Sequence, residues 1–157
     1  MKKTTLLFAI ILMVAGANAQ TYSTAVGAKF YTGNGSVGGL NIRHSTAEHT
    51  ALEGSLLFYS GGIGIEGLYE YQAPIEGAEG LQYFVGGGGM LGFGTGRYNY
   101  YNNRNSTSFA LRLTGGVDYK FADAPIAVSL AFDPFFYLAP YSGSYLALGI
   151  GIRYVLK

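Results

Sequence analysis

The feature that most restricts this chain is an alternation of period two that recurs along it. Segment 107–121 sets Phe109, Leu111, Leu113, Gly115, Val117, Tyr119 and Phe121 against Ala110, Arg112, Thr114, Gly116, Asp118 and Lys120. Segment 144–156 sets Leu146, Leu148, Ile150, Ile152, Tyr154 and Leu156 against Ala147, Gly149, Gly151 and Arg153. In 62–72, Ile63, Ile65, Gly67, Tyr69 and Tyr71 oppose Gly64, Glu66, Leu68, Glu70 and Gln72. Period two belongs to a β-strand, whose successive side chains leave opposite faces. Five further segments lie near 22–32, 37–44, 50–60, 81–95 and 125–138. Turn-forming residues separate them, among them Gly33-Asn34-Gly35, Pro74 to Gly80, Ala122 to Pro125 and Pro140 to Gly143. The 3.6-residue period of an amphipathic helix is missing. Beyond the N-terminus no stretch reaches the ~18 apolar residues of a membrane-spanning helix.

The next question is which face of these strands is wet. One face is long, apolar and aromatic-ended, whereas the other carries small residues and isolated charges. A water-soluble barrel or sandwich needs a richly charged exterior, yet charged residues are only 12% of the chain. Ten charged side chains stand on the non-apolar faces, five of each sign: Lys29, Arg43, Arg112, Lys120 and Arg153 against Glu53, Glu66, Glu70, Asp118 and Asp133. Buried charge is tolerable only when paired, and an equal count is what a closed interior requires. The pattern is therefore inside-out, apolar toward lipid and polar toward a lumen. In hydrocarbon every backbone N–H and C=O must be satisfied, and only a closed sheet has no edges.

These arguments predict an all-β fold, an eight-stranded antiparallel up-and-down transmembrane β-barrel with both ends on the periplasmic side. Outward loops then fall near 33–36, 61, 96–106 and 139–144, and inward turns near 45–49, 73–80 and 122–125. Phe30, Phe58, Phe93, Phe109 and Phe136 would form an outer aromatic girdle, with Tyr71, Tyr83, Tyr119 and Tyr154 as the inner one. Eight strands leave an interior just wide enough for side chains to fill, and Phe84, Met90, Phe135 and Tyr137 also point inward. A plugged lumen is expected, with Arg43 paired to Glu53 and Arg112 to Asp133 across adjacent strands.

The N-terminus reads as an export signal. Lys2 and Lys3 precede an apolar run from Leu6 to Gly16 that falls short of the ~20 residues a spanning helix needs. Ala17-Asn18-Ala19 supplies the small residues a signal peptidase requires, placing cleavage between Ala19 and Gln20. Residues 1–19 are then a signal peptide and 20–157 a single barrel domain. Cleavage takes the basic count from 10 to 8 against 9 acidic residues. That leaves no basic surplus for a phosphate backbone, which argues against nucleic-acid binding. The absence of cysteine excludes a disulfide scaffold, a Cys-ligated metal and a lipoprotein anchor.

Few residues suggest chemistry. Gly87, Gly89 and Gly92 match the spacing of a dinucleotide fingerprint, but the helix that motif must open is missing. Glycines here read instead as room for sheet coiling. His44 and His49, with Glu48 as thin support, read as polar residues of an inner turn rather than a metal pair. Glu66 and Glu70 stand ~13 Å apart along one strand, too far to share a glycosidic bond, and read as partners of luminal Arg and Lys. No catalytic, metal or cofactor site is expected. Arg97 to Ser106 is the longest outward loop and reads first as a solvated loop. Its Tyr, Asn and Arg content also suits adhesion or ligand capture.

Several stretches carry a family resemblance. They are the leader ending Ala17-Asn18-Ala19, Ala51-Leu52-Glu53-Gly54, Gly67-Leu68-Tyr69-Glu70-Tyr71, Glu79-Gly80-Leu81-Gln82-Tyr83-Phe84, Gly116-Val117-Asp118-Tyr119-Lys120-Phe121, Pro125-Ile126-Ala127-Val128-Ser129-Leu130 and Gly149-Ile150-Gly151-Ile152-Arg153-Tyr154. In these the chain resembles the small eight-stranded outer-membrane barrels of the OmpA/OmpX-like superfamily. More narrowly it is similar to the porin-like outer-membrane β-barrel families of Bacteroidota. One departure is that Tyr154 is followed by Val155-Leu156-Lys157, where such barrels often end on an aromatic residue. The resemblance implies Sec-type export and insertion into a Gram-negative outer membrane by the barrel-assembly machinery, aided by periplasmic chaperones. It implies a monomer without cofactor, surrounded by outer-membrane lipid and lipopolysaccharide, with a structural or surface-interaction role. A narrow channel for ions or small solutes is the alternative. An outer-leaflet lipid-modifying enzyme is a third reading, weakened because both histidines fall at the opposite rim.

Overall fold

The computed structural model describes residues 23–33, 35–94, 106–140 and 142–156. The proposed leader, its Ala19–Gln20 junction and the loop residues 95–105 lie outside the described residues. Eight strands follow one another: β1 (Thr24–Gly33), β2 (Gly35–Ala47), β3 (Thr50–Tyr59), β4 (Gly62–Pro74), β5 (Leu81–Gly94), β6 (Ser106–Lys120), β7 (Ile126–Ala139) and β8 (Gly143–Val155). Each pairs antiparallel with its sequence neighbour, and β8 closes onto β1 from Ala25↔Val155 to Thr32↔Leu148. Closure is forced by the composition of the wall, since an open edge would leave unpaired amides facing an apolar surround.

The alternation expected from the sequence is realised strand by strand. Along β4, Gly64, Glu66, Leu68, Glu70 and Gln72 are buried while Ile63, Ile65, Tyr69 and Tyr71 are exposed. The polarity is the reverse of a soluble protein's. Leu40 is 62% exposed and Phe132 59%, whereas Arg43, Glu70, Asp118 and Asp133 are at 0%. The outward phenylalanines Phe30, Phe58, Phe93, Phe109 and Phe136 are exposed in the outer halves of their strands. Tyr71, Tyr83 and Tyr154 are exposed near the inner ends, and Tyr119 there packs edge-on against Phe121 at 4.9 Å.

Strand β2 exceeds its expected limits, running from Gly35 to Ala47 rather than 37–44. Gly35 and Ser36 continue the hairpin by pairing with Gly33 and Thr32. Beyond His44, Ser45 and Ala47 still pair with β3 across a bulge. In a closed barrel the neighbours' pairing sets a strand's length, so polar residues do not end it.

The glycine run of β5 has a specific packing role. A Cβ on Gly88 would lie 2.0 Å from the carbonyl oxygen of Gly67, and one on Gly86 2.3 Å from that of Tyr69. Both are luminal positions where the sharply coiled sheet folds β5 against β4, closer than any side chain allows. Gly87, Gly89 and Gly92 all lie within this strand.

Candidate functional site

Inside the barrel the buried charges form two hubs. The outer hub centres on Arg112 of β6. Its Nη2 donates to Asp133 Oδ1 at 2.6 Å, and its Nη1 pairs with Glu66 Oε2 and donates to the Tyr31 hydroxyl at 2.6 Å. The guanidinium also lies over two rings, 4.1 Å from the centroid of Phe135 and 4.5 Å from that of Tyr31. Tyr31 in turn donates to Glu66 Oε1 at 2.9 Å. Above the hub Phe135 stacks on Tyr145 at 4.7 Å, and Tyr137 continues the stack at 5.9 Å. Leu57, Met90 and Ala147 complete this buried apolar layer.

The inner hub contains three cations and three carboxylates. Arg153 Nη2 donates to Glu53 Oε2 at 2.8 Å and Nη1 to Asp118 Oδ1 at 3.1 Å. Lys29 pairs with Glu53 Oε1. Arg43 Nη2 lies 2.7 Å from Glu70 Oε2, and its guanidinium sits 4.6 Å over the ring of Phe84. Gln82 Nε2 donates to Asp118 Oδ2 at 3.1 Å. Each charge is desolvated, and such burial is offset only by near-complete pairing.

Nine of the ten charged residues expected on the luminal face are buried, and the expected Arg112–Asp133 pair is formed. Lys120 differs: at the inner end of β6 it is only half-buried. The expected partnership of Arg43 and Glu53 is rearranged. They stand opposite in the β2–β3 register, yet Arg43 holds Glu70, and Glu53 is held by Lys29 and Arg153. The reason is curvature. Luminal side chains in so narrow a barrel converge toward its axis, where groups two or three strands apart meet more readily than the register neighbours they left. Among the described luminal ion pairs only Arg112–Asp133 joins adjacent strands.

Glycine makes this reach possible. Gly88 lies between Leu68 and Arg112 in register, so that row of β5 puts no side chain between Arg112 and β4. At Gly149 a Cβ would come 2.3 Å from Asp133 Oδ2 and 3.2 Å from the Tyr31 ring. Sequence reasoning misses Tyr31, Asn41 and Ser55 as members of the network. Parity is the signal that could have found them, since Tyr31 lies two positions from Lys29 and Asn41 two from Arg43.

The other candidates separate from this site. Glu66 and Glu70 fall in different hubs, each on an arginine. Thr24 Oγ1 lies 2.8 Å from His44 Nδ1 at the inner end of β1 and β2, on the exposed face of β2. His49 Nδ1 lies 3.2 Å from the carbonyl of Gln72, with Glu48 at 4.0 Å from Nε2. Among the described residues no group of three or more His, Asp or Glu is placed to hold a metal.

No protein-family model matches the chain, and no curated protein is similar to it. Solved structures are. The chain is similar to the N-terminal β-barrel domain of Pseudomonas aeruginosa OprF, with a TM-score of 0.67 and 18% identity, covering 85% of this chain and 98% of that one. It is similar also to Neisserial surface protein A, with a TM-score of 0.57 and 11% identity, covering 86% and 96%. At these identities the likeness is one of fold. The closed eight-stranded wall, apolar outside and charged within, is that of a small outer-membrane barrel.

Proposed function

We propose that this outer-membrane barrel is a structural and surface-interaction protein whose lumen is a cross-braced core, not a passage. The observation that carries the reading is the network itself. Arg43, Arg112, Arg153, Glu53, Glu66, Glu70, Asp118 and Asp133 all lie buried and are paired within the lumen, with an aromatic layer above them. A conducting path would need those side chains to swing aside together.

Contact with other molecules then belongs to the outer side. The β3–β4 connection is tight, with Gly61 at φ +91°. Residues 95–105, with Arg97, Arg104 and three tyrosines, form the longest outer connection. This loop is the segment proposed to meet lipopolysaccharide or an outside partner. The chain is read as a non-enzymatic monomer, exported and then inserted by the barrel-assembly machinery with periplasmic chaperones.

Purified outer-membrane protein should migrate faster in SDS gels unboiled than boiled, and the folded form should give no single-channel steps in planar bilayers. Reproducible steps from the folded protein would overturn the plugged lumen in favour of the narrow channel. Deletion of residues 99–105 should abolish surface binding while leaving the gel shift; binding that persists removes the loop's role. A changed lipid A mass spectrum in a deletion strain would speak for the enzyme instead.

A further inference from the structure

The two luminal hubs touch through a pair of bridges. Asn41 on β2 accepts from Arg153 Nε through Oδ1 at 2.6 Å and donates through Nδ2 to Ser55 Oγ at 3.0 Å. Ser55 then donates to Glu66 Oε1 at 3.1 Å, the same oxygen that accepts from Tyr31. The second bridge is the Tyr31 ring, which has Arg112 over it at 4.5 Å and Lys29 at 5.2 Å. One continuous set of contacts therefore runs from the Tyr145–Phe135 stack near the outer mouth to Gln82 on Asp118 near the inner end.

We infer that Asn41 and Tyr31 lock the two hubs into a single conformational unit, so that the lumen loosens as a whole and not one half at a time. The amide of Asn41 has only one satisfied orientation. Reversed, it would aim its NH2 at a guanidinium and its oxygen at Ser55. Asn41, Ser55, Glu66 and Arg153 are all buried, so water is not at hand to replace a broken link. Arg153 commits its three nitrogens to Glu53, Asp118 and Asn41 and cannot turn for one without disturbing the others. A shift of Arg112 moves Glu66, and through Ser55 and Asn41 the strain reaches Arg153. Groups joined in one buried network behave non-additively. The inference goes beyond the proposed function and holds whether or not the barrel conducts.

The test is a double-mutant cycle between the hubs. Arg112→Lys and Arg153→Lys, singly and together, are compared by the folded fraction in a urea series in lipid vesicles, read from unboiled gel mobility. The double variant's loss in the folding equilibrium constant should differ from the product of the single losses by about fivefold or more. In an Asn41→Ala/Tyr31→Leu background the same cycle should become multiplicative to within about twofold. A multiplicative result in the wild-type background overturns the inference, because the hubs are then independent. Coupling that survives in the bridge-less background overturns the assignment of Asn41 and Tyr31. Where a lysine variant fails to fold, the milder Asp133→Asn/Gln82→Ala cycle, run in the same two backgrounds, carries the same two outcomes, with a departure of about twofold expected.

Discussion

The outer and inner hubs bury charge by different means. In the outer hub a single described cation, Arg112, faces Glu66 and Asp133, and the faces of Tyr31 and Phe135 cover its guanidinium. The inner hub is balanced, with Lys29, Arg43 and Arg153 against Glu53, Glu70 and Asp118. A planar guanidinium can use both its donor edge and its faces, so one arginine organises the outer hub. The inner hub distributes the work, and Arg43, Arg153, Glu53 and Asp118 each face two opposite charges. Centralised and distributed networks of similar burial should therefore respond unequally to losing one member.

The largest effect is expected from Arg112→Ala, which strands two buried carboxylates at once. It should lower stability by about 5 kcal/mol, the top of the range for breaking a buried pair, as measured by urea midpoints in vesicles. A midpoint within error of wild type would show that the hub is not centred on this residue. Arg153→Ala should cost less, about 3 kcal/mol, because Lys29 remains on Glu53 and Arg43 lies 3.9 Å from Asp118. If it proves as costly as Arg112→Ala, the distinction between centralised and distributed networks fails. Tyr31→Phe keeps the ring under Arg112 but removes the hydroxyl between Arg112 and Glu66. The expected loss is about 2 kcal/mol, that of a hydrogen bond to a charged group, and an unchanged midpoint would assign Tyr31 to ring packing alone. Smallest is Gln82→Ala, at the partly buried edge of the inner hub, with about 1 kcal/mol expected. A loss as large as that of Tyr31→Phe would mean the inner edge is tighter than its exposure indicates.

The wall of the barrel is legible in the sequence because it depends on a local rule. Phe109, Leu111 and Leu113 alternate with Ala110, Arg112 and Thr114, and period two needs only the strand's own geometry to sort them onto two faces. Shortage of charge then decides which face meets lipid. The candidate network is legible as a set of residues but not as a set of partners. Arg43 and Glu53 share a register row, and pairing them is what a flat sheet would do. Lys120 carries the right parity, yet its position at the inner end of β6 leaves it only half-buried. Parity places Asn41 and Ser55 on the luminal face but not in the bridge, since an uncharged polar residue there looks the same whether it bridges two charges or fills space.

By itself, then, the sequence determined which side chains face the lumen, how many strands there are, and that the sheet must close. Those consequences follow from period, turn chemistry and the cost of unsatisfied backbone in hydrocarbon. Only the tertiary structure decided that Arg112 reaches Glu66 across β5, that Arg43 takes Glu70, and that Asn41 joins the hubs. Such choices depend on curvature and on which luminal side chains it brings together across intervening strands. Both arise when the first strand meets the last, and no local stretch of sequence contains that information.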